Sequence, residues 1–155
     1  MHSTLIVLND VLLLACCSMY LGTGWSLILF SFSNAANLTI DNYYEQFVPQ
    51  VTAATRFFTV MTIVMLGAAG VMIVSEWHHR VWAPVIVLVG VIAATVLTEV
   101  VILPVNKVMA GHIRDPALLR ATLSRWMTFN RFRVALWTLS WLAMAIYFGL
   151  ALGER

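Results

Sequence analysis

Charged residues are scarce in this chain. They make up 10% of its 155 residues, whereas an ordinary soluble domain carries about 25%. Hydrophobic residues make up 61%. This balance excludes an ordinary soluble domain, and we expect no nucleic-acid partner. The composition instead predicts an integral membrane protein whose surroundings are membrane lipids.

The sequence also lacks the strand-like alternation of apolar and polar residues, internal repeats and low-complexity linkers. A membrane β-barrel is therefore not expected. Four apolar stretches are long enough to cross a hydrocarbon core, which takes about 20 residues. We place these spans at residues 5–32, 57–77, 82–105 and 131–152. The prediction is an all-α, integral-membrane four-helix bundle with short interfacial helices, forming a single domain over residues 1–155.

Cysteine is nearly absent, and its two copies, Cys16 and Cys17, are adjacent. Adjacent cysteines rarely form a disulfide with each other. We interpret both as small apolar residues inside the first span. They give no indication of the redox compartment.

Basic residues are distributed unevenly along the chain. Seven lie beside the second span or around the connection between the last two spans, and two lie elsewhere: Arg56, Lys107, Arg114, Arg120, Arg125, Arg131 and Arg133, against Arg80 and Arg155. Cytoplasmic loops of membrane proteins are enriched in Lys and Arg. The pattern therefore predicts that both termini lie outside and that residues 33–56 and 106–131 are cytoplasmic.

Two segments near these connections predict interfacial helices. Asp115 followed by Pro116 is a typical helix start, and we expect one helix from there to about Leu152. Asp41 is expected to cap a second interfacial helix that is interrupted near Pro49. The small residues 67–70 offer the second span a surface for close helix packing.

A group of polar and charged residues flanks the last two spans. Glu99 and Asn106 are seven residues apart, as are Trp126 and Arg133, so each pair falls on one helix face. The span directions bring these residues, with Trp25 of the first span, to one depth. Ionisable residues beside a membrane span are expensive and point to function.

Three of these polar side chains are candidate catalytic residues. Burial would favour the neutral acid of Glu99, while pairing with Arg133 would favour its carboxylate. Glu99 is therefore a proton acceptor or a fixed counter-charge, and His112 is the alternative base. Arg133 can stabilise an enolate or phenolate. The competing interpretation is an interfacial Arg133 that snorkels or forms a structural ion pair with Glu99.

Four further residues are candidates for binding the substrate. Carboxamides donate and accept hydrogen bonds, so they can hold a phenol or a carbonyl group. Tryptophan rings offer flat apolar walls for an aromatic substrate. The substrate-binding candidates are Trp25, Asn106, Trp126 and Asn130. The competing interpretation places Trp126 in an interfacial aromatic belt.

A second polar constellation lies toward the other end of the bundle. Asp10, Glu76 and His79 form a minor candidate metal site, with His2 as a fourth ligand. A haem or metal protein would require two or more of the histidines to converge: His2, His78, His79 and His112. No cofactor is favoured, because polar residues at a short turn are expected anyway.

The chain resembles the anthrone oxygenase-like family of small four-helix membrane proteins. The resemblance rests on three short motifs: Gly22-Thr23-Gly24-Trp25, Leu103-Pro104-Val105-Asn106, and Arg125-Trp126 followed by Asn130 and Arg133. It covers most of the chain in length and span order. The chain departs from the family pattern at Asn130, where a histidine is expected, which moves the role of base to Glu99 or His112.

The resemblance implies oxidation of an activated aromatic ketone by molecular oxygen without a metal or flavin. The first functional hypothesis is therefore a cofactor-independent, oxygenase-like enzyme for a lipophilic aromatic or enolisable substrate. The alternatives are a non-catalytic lipid- or quinone-binding protein, an accessory subunit of a membrane complex, and a metal- or haem-binding membrane protein. A bundle this small is also expected to form homo-oligomers or to join a larger complex.

Overall fold

A computed structural model describes residues 4–77 and 79–153. Within these residues the chain forms four long helices and no strand. The helices are α1 (Thr4–Ala35), α2 (Tyr43–Ser75), α3 (Trp82–Ala110) and α4 (Pro116–Gly153). Each is long and apolar enough to cross a membrane. The chain is thus a multi-pass membrane protein, and the predicted all-α four-helix bundle is confirmed.

The start of α4 follows the predicted capping pattern. Asp115 precedes Pro116, and its Oδ1 accepts a hydrogen bond from the N–H of Ala117 at 2.9 Å. This carboxylate satisfies one of the free N–H groups at the helix start. The helix then continues without interruption to Gly153, close to the predicted end at Leu152.

The predicted break of the second helix near Pro49 is wrong. Helix α2 runs continuously from Tyr43 to Ser75 and contains Pro49. The residue before the helix is Asn42 rather than Asp41, and its Oδ1 accepts a hydrogen bond from the N–H of Thr39 at 2.9 Å. Pro49 is exposed and lies near the start of the helix, where the missing N–H leaves only one early carbonyl without its helical partner.

Two of the helices contain a π-helical segment. In α1 it covers Leu27–Ser31, and the N–H of Phe32 bonds to the carbonyl of Leu27. In α3 it covers Thr98–Ile102, directly before Pro104. A proline ring clashes with the carbonyl four residues earlier in a regular helix, and the wider π turn relieves that clash. Such π turns often occur at functional sites.

The four helices form a ring in which each packs mainly on its two neighbours in sequence, with α4 closing on α1. Two glycines permit the closest approaches. A Cβ added at Gly90 would lie 2.4 Å from Ser140 Oγ of α4. A Cβ added at Gly24 would lie 2.9 Å from both Trp137 Cε3 and Val134 Cγ2. Small residues at these crossings let the helix backbones approach closely.

The buried core is divided into two clusters. The outer cluster surrounds Leu13, Met65, Val87 and Met144. The inner cluster surrounds Trp126 and includes residues of both interhelical connections and of the helix ends beside them. Here "inner" denotes the end of the bundle with the connections 36–42 and 111–115. The candidate site lies in the space between the two clusters.

Replacing Gly24 with alanine is expected to destabilise the bundle by about 1–3 kcal/mol, the usual effect of overpacking. The added methyl group would press on the indole of Trp137. Gly22→Ala is the matched control on the same helix, since no heavy atom lies within 4 Å of its added Cβ. Melting of the purified variants by circular dichroism measures the difference. Equal melting temperatures would show that Gly24 does not set this approach.

Candidate functional site

A cavity of about 950 Å³ lies between the two core clusters. All four helices contribute to its wall. Ligand pockets in proteins commonly have volumes of roughly 300–1,000 Å³. The cavity is therefore large enough for a lipophilic small molecule.

The cavity extends along the helix axes. Its lining on α2 reaches from Gln46 to Leu66, which is about 30 Å of helix at 1.5 Å per residue. Toward the inner end the wall carries the carboxamides of Asn34, Gln46 and Asn106. Toward the other end, apolar side chains are mixed with hydroxyl groups, including those of Tyr20 and Thr62, and with Arg133. The length of the cavity fits an elongated molecule.

Both π-helical segments contribute to the cavity wall. Leu27 and Ser31 come from the segment in α1, and Thr98 and Glu99 come from the segment in α3. Each π turn adds a residue to the helix and redirects the side chains that follow it. The two irregular turns thus coincide with the place where the bundle widens.

Arg133 lines the cavity from the middle of α4 and has few partners of its own. One Nη donates a long hydrogen bond of 3.5 Å to Thr98 Oγ1. Its Nε is buried and has no hydrogen-bond partner. The guanidinium carbon lies 4.7 Å from the centre of the Trp137 ring. A cation held on an aromatic face with donors to spare is suited to binding an anion or a carbonyl oxygen.

Trp137 is itself held firmly by aromatic neighbours. Its ring centre lies 4.5 Å from that of Tyr20 and 5.9 Å from that of Phe58. The Tyr20 hydroxyl donates to the carbonyl of Phe58 at 2.9 Å and lies 2.8 Å from Thr62 Oγ1. These contacts fix the platform beneath the guanidinium of Arg133.

Glu99 lines the same cavity from α3 and is exposed. The expected ion pair between Glu99 and Arg133 is not formed, and one Nη of Arg133 donates a long hydrogen bond to Thr98 Oγ1. Among the described lining residues, Glu99 and Arg133 are the charged ones. The cavity thus presents one acid and one cation that do not neutralise each other.

The seven-residue spacings predicted two further lining residues. Asn106 and Trp126 both line the cavity, as do their partners Glu99 and Arg133. The Oδ1 atom of Asn106 is buried without a hydrogen-bond partner. The Trp126 ring is buried against Phe47, with ring centres 4.8 Å apart. A ligand would therefore meet an aromatic wall, while the Oδ1 atom of Asn106 is itself buried.

Three predicted site residues do not line the cavity. Trp25 is 44% exposed, and its indole N–H donates to Thr138 Oγ1 at 3.2 Å. Asn130 is fully buried and donates its amide N–H to the carbonyl of Trp126 at 2.8 Å. His112 lies in the exposed 111–115 connection, stacked on Tyr44 with ring centres 3.6 Å apart. Helix rotation and this stacking direct all three away from the cavity.

The other polar constellation does not assemble a metal site among the described residues. No three His, Cys, Asp or Glu side chains within them have metal-binding geometry. Asp10 and Glu76 are both buried, and the Tyr147 hydroxyl donates to Asp10 Oδ2 at 3.5 Å. His79 is exposed. His2 and His78, which entered the metal and haem hypotheses, lie outside the described residues.

Sequence reasoning missed several lining residues that carry the site. They include Tyr20, Gln46, Gln50, Thr62 and Trp137. One signal was present, because Trp137 follows Arg133 by four residues and therefore lies beside it on the helix. The hydroxyl residues gave no signal, since serine and threonine are frequent at helix contacts in membranes.

Arg133→Met is expected to leave the melting temperature unchanged or to raise it. A buried, unpaired cation is costly, and methionine keeps an apolar contact with the Trp137 ring. Tyr20→Phe is the comparison, since it removes a hydroxyl that bonds to Phe58 and should destabilise by about 1 kcal/mol. Thermal unfolding of both variants tests this. A larger loss for Arg133→Met than for Tyr20→Phe would assign Arg133 to the fold rather than to a ligand.

Comparisons with known proteins identify no relative of this arrangement. No family model, curated protein or solved structure matches the chain. The resemblance of its short motifs to anthrone oxygenase-like proteins therefore stays a prediction. The function has to be argued from the cavity and the residues that line it.

Proposed function

We propose that this protein is a membrane-embedded, oxygenase-like enzyme that oxidises a lipophilic aromatic or enolisable substrate with molecular oxygen. One observation carries the proposal: Glu99 and Arg133 line the same cavity without forming an ion pair. An ion pair of purely structural value would join them. Left apart, the acid can accept a proton while the cation stabilises the negative charge that results.

Substrate binding uses the walls of the cavity. Trp126 offers an aromatic face, and Asn106 lies beside it on the cavity wall. The carbonyl oxygen of the substrate would face the guanidinium of Arg133. Binding the substrate in one cavity with the acid and the cation would fix the geometry of the reacting groups.

Proton removal is the first chemical step. Glu99 takes a proton from a CH₂ group that is conjugated with the activated carbonyl, and the electron pair moves through the conjugated system onto the carbonyl oxygen to give an enolate. Arg133 stabilises that oxygen anion with its unused N–H groups. His112 is outside the cavity, so the role of base is assigned to Glu99.

Oxygen insertion completes the reaction. The electron-rich carbon of the enolate reduces molecular oxygen and forms a carbon–oxygen bond, giving a hydroperoxide after protonation. Loss of water from the hydroperoxide leaves a carbonyl group. In total one CH₂ group and one O₂ molecule become one C=O group and one water molecule. The resemblance to anthrone oxygenase-like proteins supports this chemistry.

The orientation in the membrane is part of the proposal. Arg56 and the five basic residues between positions 107 and 131 lie toward the inner end of the bundle, whereas Arg133 lies in the middle of α4. The positive-inside rule then places the connections 36–42 and 111–115 in the cytoplasm and both termini outside. The inner end of the cavity would face the cytoplasmic leaflet.

Glu99→Gln and Arg133→Met are each expected to slow oxygen consumption on an anthrone by about 100-fold or more, since a general base typically contributes 10²–10⁴-fold. The matched controls are Glu45→Gln and Arg131→Met, which alter exposed residues outside the cavity lining. An oxygen electrode with the protein in liposomes provides the measurement. Wild-type turnover by Glu99→Gln would refute the mechanism.

A non-catalytic lipid- or quinone-binding protein is the second candidate. The length of the cavity, about 30 Å along α2, favours it because a small aromatic substrate would fill only part of that length. In this case the apolar side chains along the cavity would hold the chain of the ligand, and the carboxamides of the inner end would hold a polar group. Arg133 would bind a carbonyl or an anion without any reaction.

Native mass spectrometry of protein extracted from its own membrane separates the two candidates. A bound quinone or lipid that Arg133→Met loses and Arg131→Met retains, together with absent oxygen consumption, would support the binding protein. A ligand-free protein that turns over an anthrone would support the enzyme. The same spectra report the oligomer number and any bound metal.

A further inference from the structure

The inner end of α1 packs on the other helices through side chains rather than through close backbone contact. Residues 27–35, named here the α1 end segment, have no extensive backbone contact with α2, α3 or α4. The segment reaches α4 through long side chains. The Phe32 ring lies 5.7 Å from the Trp126 ring, and the Arg131 guanidinium carbon lies 5.5 Å from the Phe32 ring centre.

The α1 end segment satisfies its own polar groups. Ser33 Oγ donates to the carbonyl of Phe30 at 2.8 Å, and Asn37 donates to the carbonyl of Ser33 at 3.2 Å. The segment begins with the π turn Leu27–Ser31, an irregularity at which helices bend. It can therefore stand apart from the bundle without leaving these carbonyls unbonded.

The start of α2 faces the α1 end segment across the cavity. Gln46, Gln50 and Ala54 on α2 line the cavity and are also exposed on the outside, as are Ser31 and Asn34 on α1. Residues that are both exposed and lining border the opening of a cavity. Further residues of this kind continue along both helices, so the opening runs along the crossing of the first and second helices: Gly22, Thr23, Ser26, Thr59 and Ile63. The part of the opening beside the connection 36–42 is named here the mouth.

We infer that a membrane-dissolved, uncharged amphiphile enters the cavity sideways, between the α1 end segment and residues 46–54 of α2. This inference rests on the proposed function, in that the cavity receives a lipophilic ligand. The mouth also indicates the class of ligand. Its polar side chains are a hydroxyl and three carboxamides, namely Ser31, Asn34, Gln46 and Gln50.

Uncharged carboxamides exchange hydrogen bonds with phenol and carbonyl groups. They do not compensate the charge of a phosphate or an ammonium group, whose transfer from water is costly. The mouth therefore admits a lipophilic phenol or ketone in preference to a charged phospholipid. Ser31, Asn34, Gln46 and Gln50 are accordingly assigned as residues that determine which molecules enter.

A single cysteine inside the cavity tests the route without the natural ligand. Thr95 lines the cavity and is half-buried, so Thr95→Cys would report entry in a background with Cys16→Ala and Cys17→Ala. The probe is N-phenylmaleimide, an uncharged lipophilic reagent, added to the protein in phosphatidylcholine vesicles. Its reaction should outpace that of a charged trimethylammonium thiosulfonate.

Blocking the mouth should slow the reaction of the probe. We expect Ala54→Trp to lower the rate about tenfold, the effect of roughly 1.4 kcal/mol added to the entry barrier. The matched control is Ala53→Trp, because Ala53 is exposed beside it but does not line the cavity. Ser31→Trp, with Ser33→Trp as its control, repeats the test from the α1 side.

Unchanged rates in both Ala54→Trp and Ser31→Trp would overturn the entry route, as would equal slowing by the controls. Melting curves confirm that the compared variants are folded. The oxygen-consumption assay tests the enzymatic function separately. A protein that admits the probe through this mouth but does not consume oxygen would contradict the proposed enzyme and would still support the entry route.

Discussion

The close contact between Gly24 of α1 and the Trp137 indole of α4 is the constraint on which the site depends. It brings the two helices together and presses the indole against Tyr20 and Phe58. The guanidinium of Arg133 rests on that indole. Because the platform is rigid and apolar on its other side, the cation is held toward the cavity. A larger residue at position 24 would disturb both the helix contact and the charge.

Much of the fold could be predicted from the sequence, because it follows from local rules. Long apolar runs predicted the four spans, and Asp115 with Pro116 predicted the start of α4. The path of α2 through Pro49 could not be predicted, since it depends on whether nearby structure tolerates one unbonded carbonyl. The π turns could not be predicted either, because they arise from tertiary packing and, in α3, from the clash of the Pro104 ring with the carbonyl four residues earlier.

The positions of site residues could be predicted where they depend on spacing within one helix. They could not be predicted where they depend on how several helices pack. The residues grouped by the spacings within α3 and α4, Glu99 with Asn106 and Trp126 with Arg133, all line one cavity. The rotation of α1 and the packing behind Trp126 decide the positions of Trp25 and Asn130, and neither is encoded in a local pattern. The expected ion pair between Glu99 and Arg133 also depends on two helices, and in the structure the guanidinium of Arg133 contacts Thr98 instead.

The π turn in α3 has a consequence for how this sequence can change. A π turn is an α-helix with one residue inserted, so losing one residue there would restore a regular helix and shorten it by only about 1.5 Å. The wide turn takes up the added residue locally, so its loss would leave the α-helical turns on either side nearly in their present orientation. The side chains that would change direction are those of the turn itself, among them Thr98 and Glu99 on the cavity wall. A single-residue gap at positions 98–102 is therefore compatible with the same span and changes the cavity wall only at the turn.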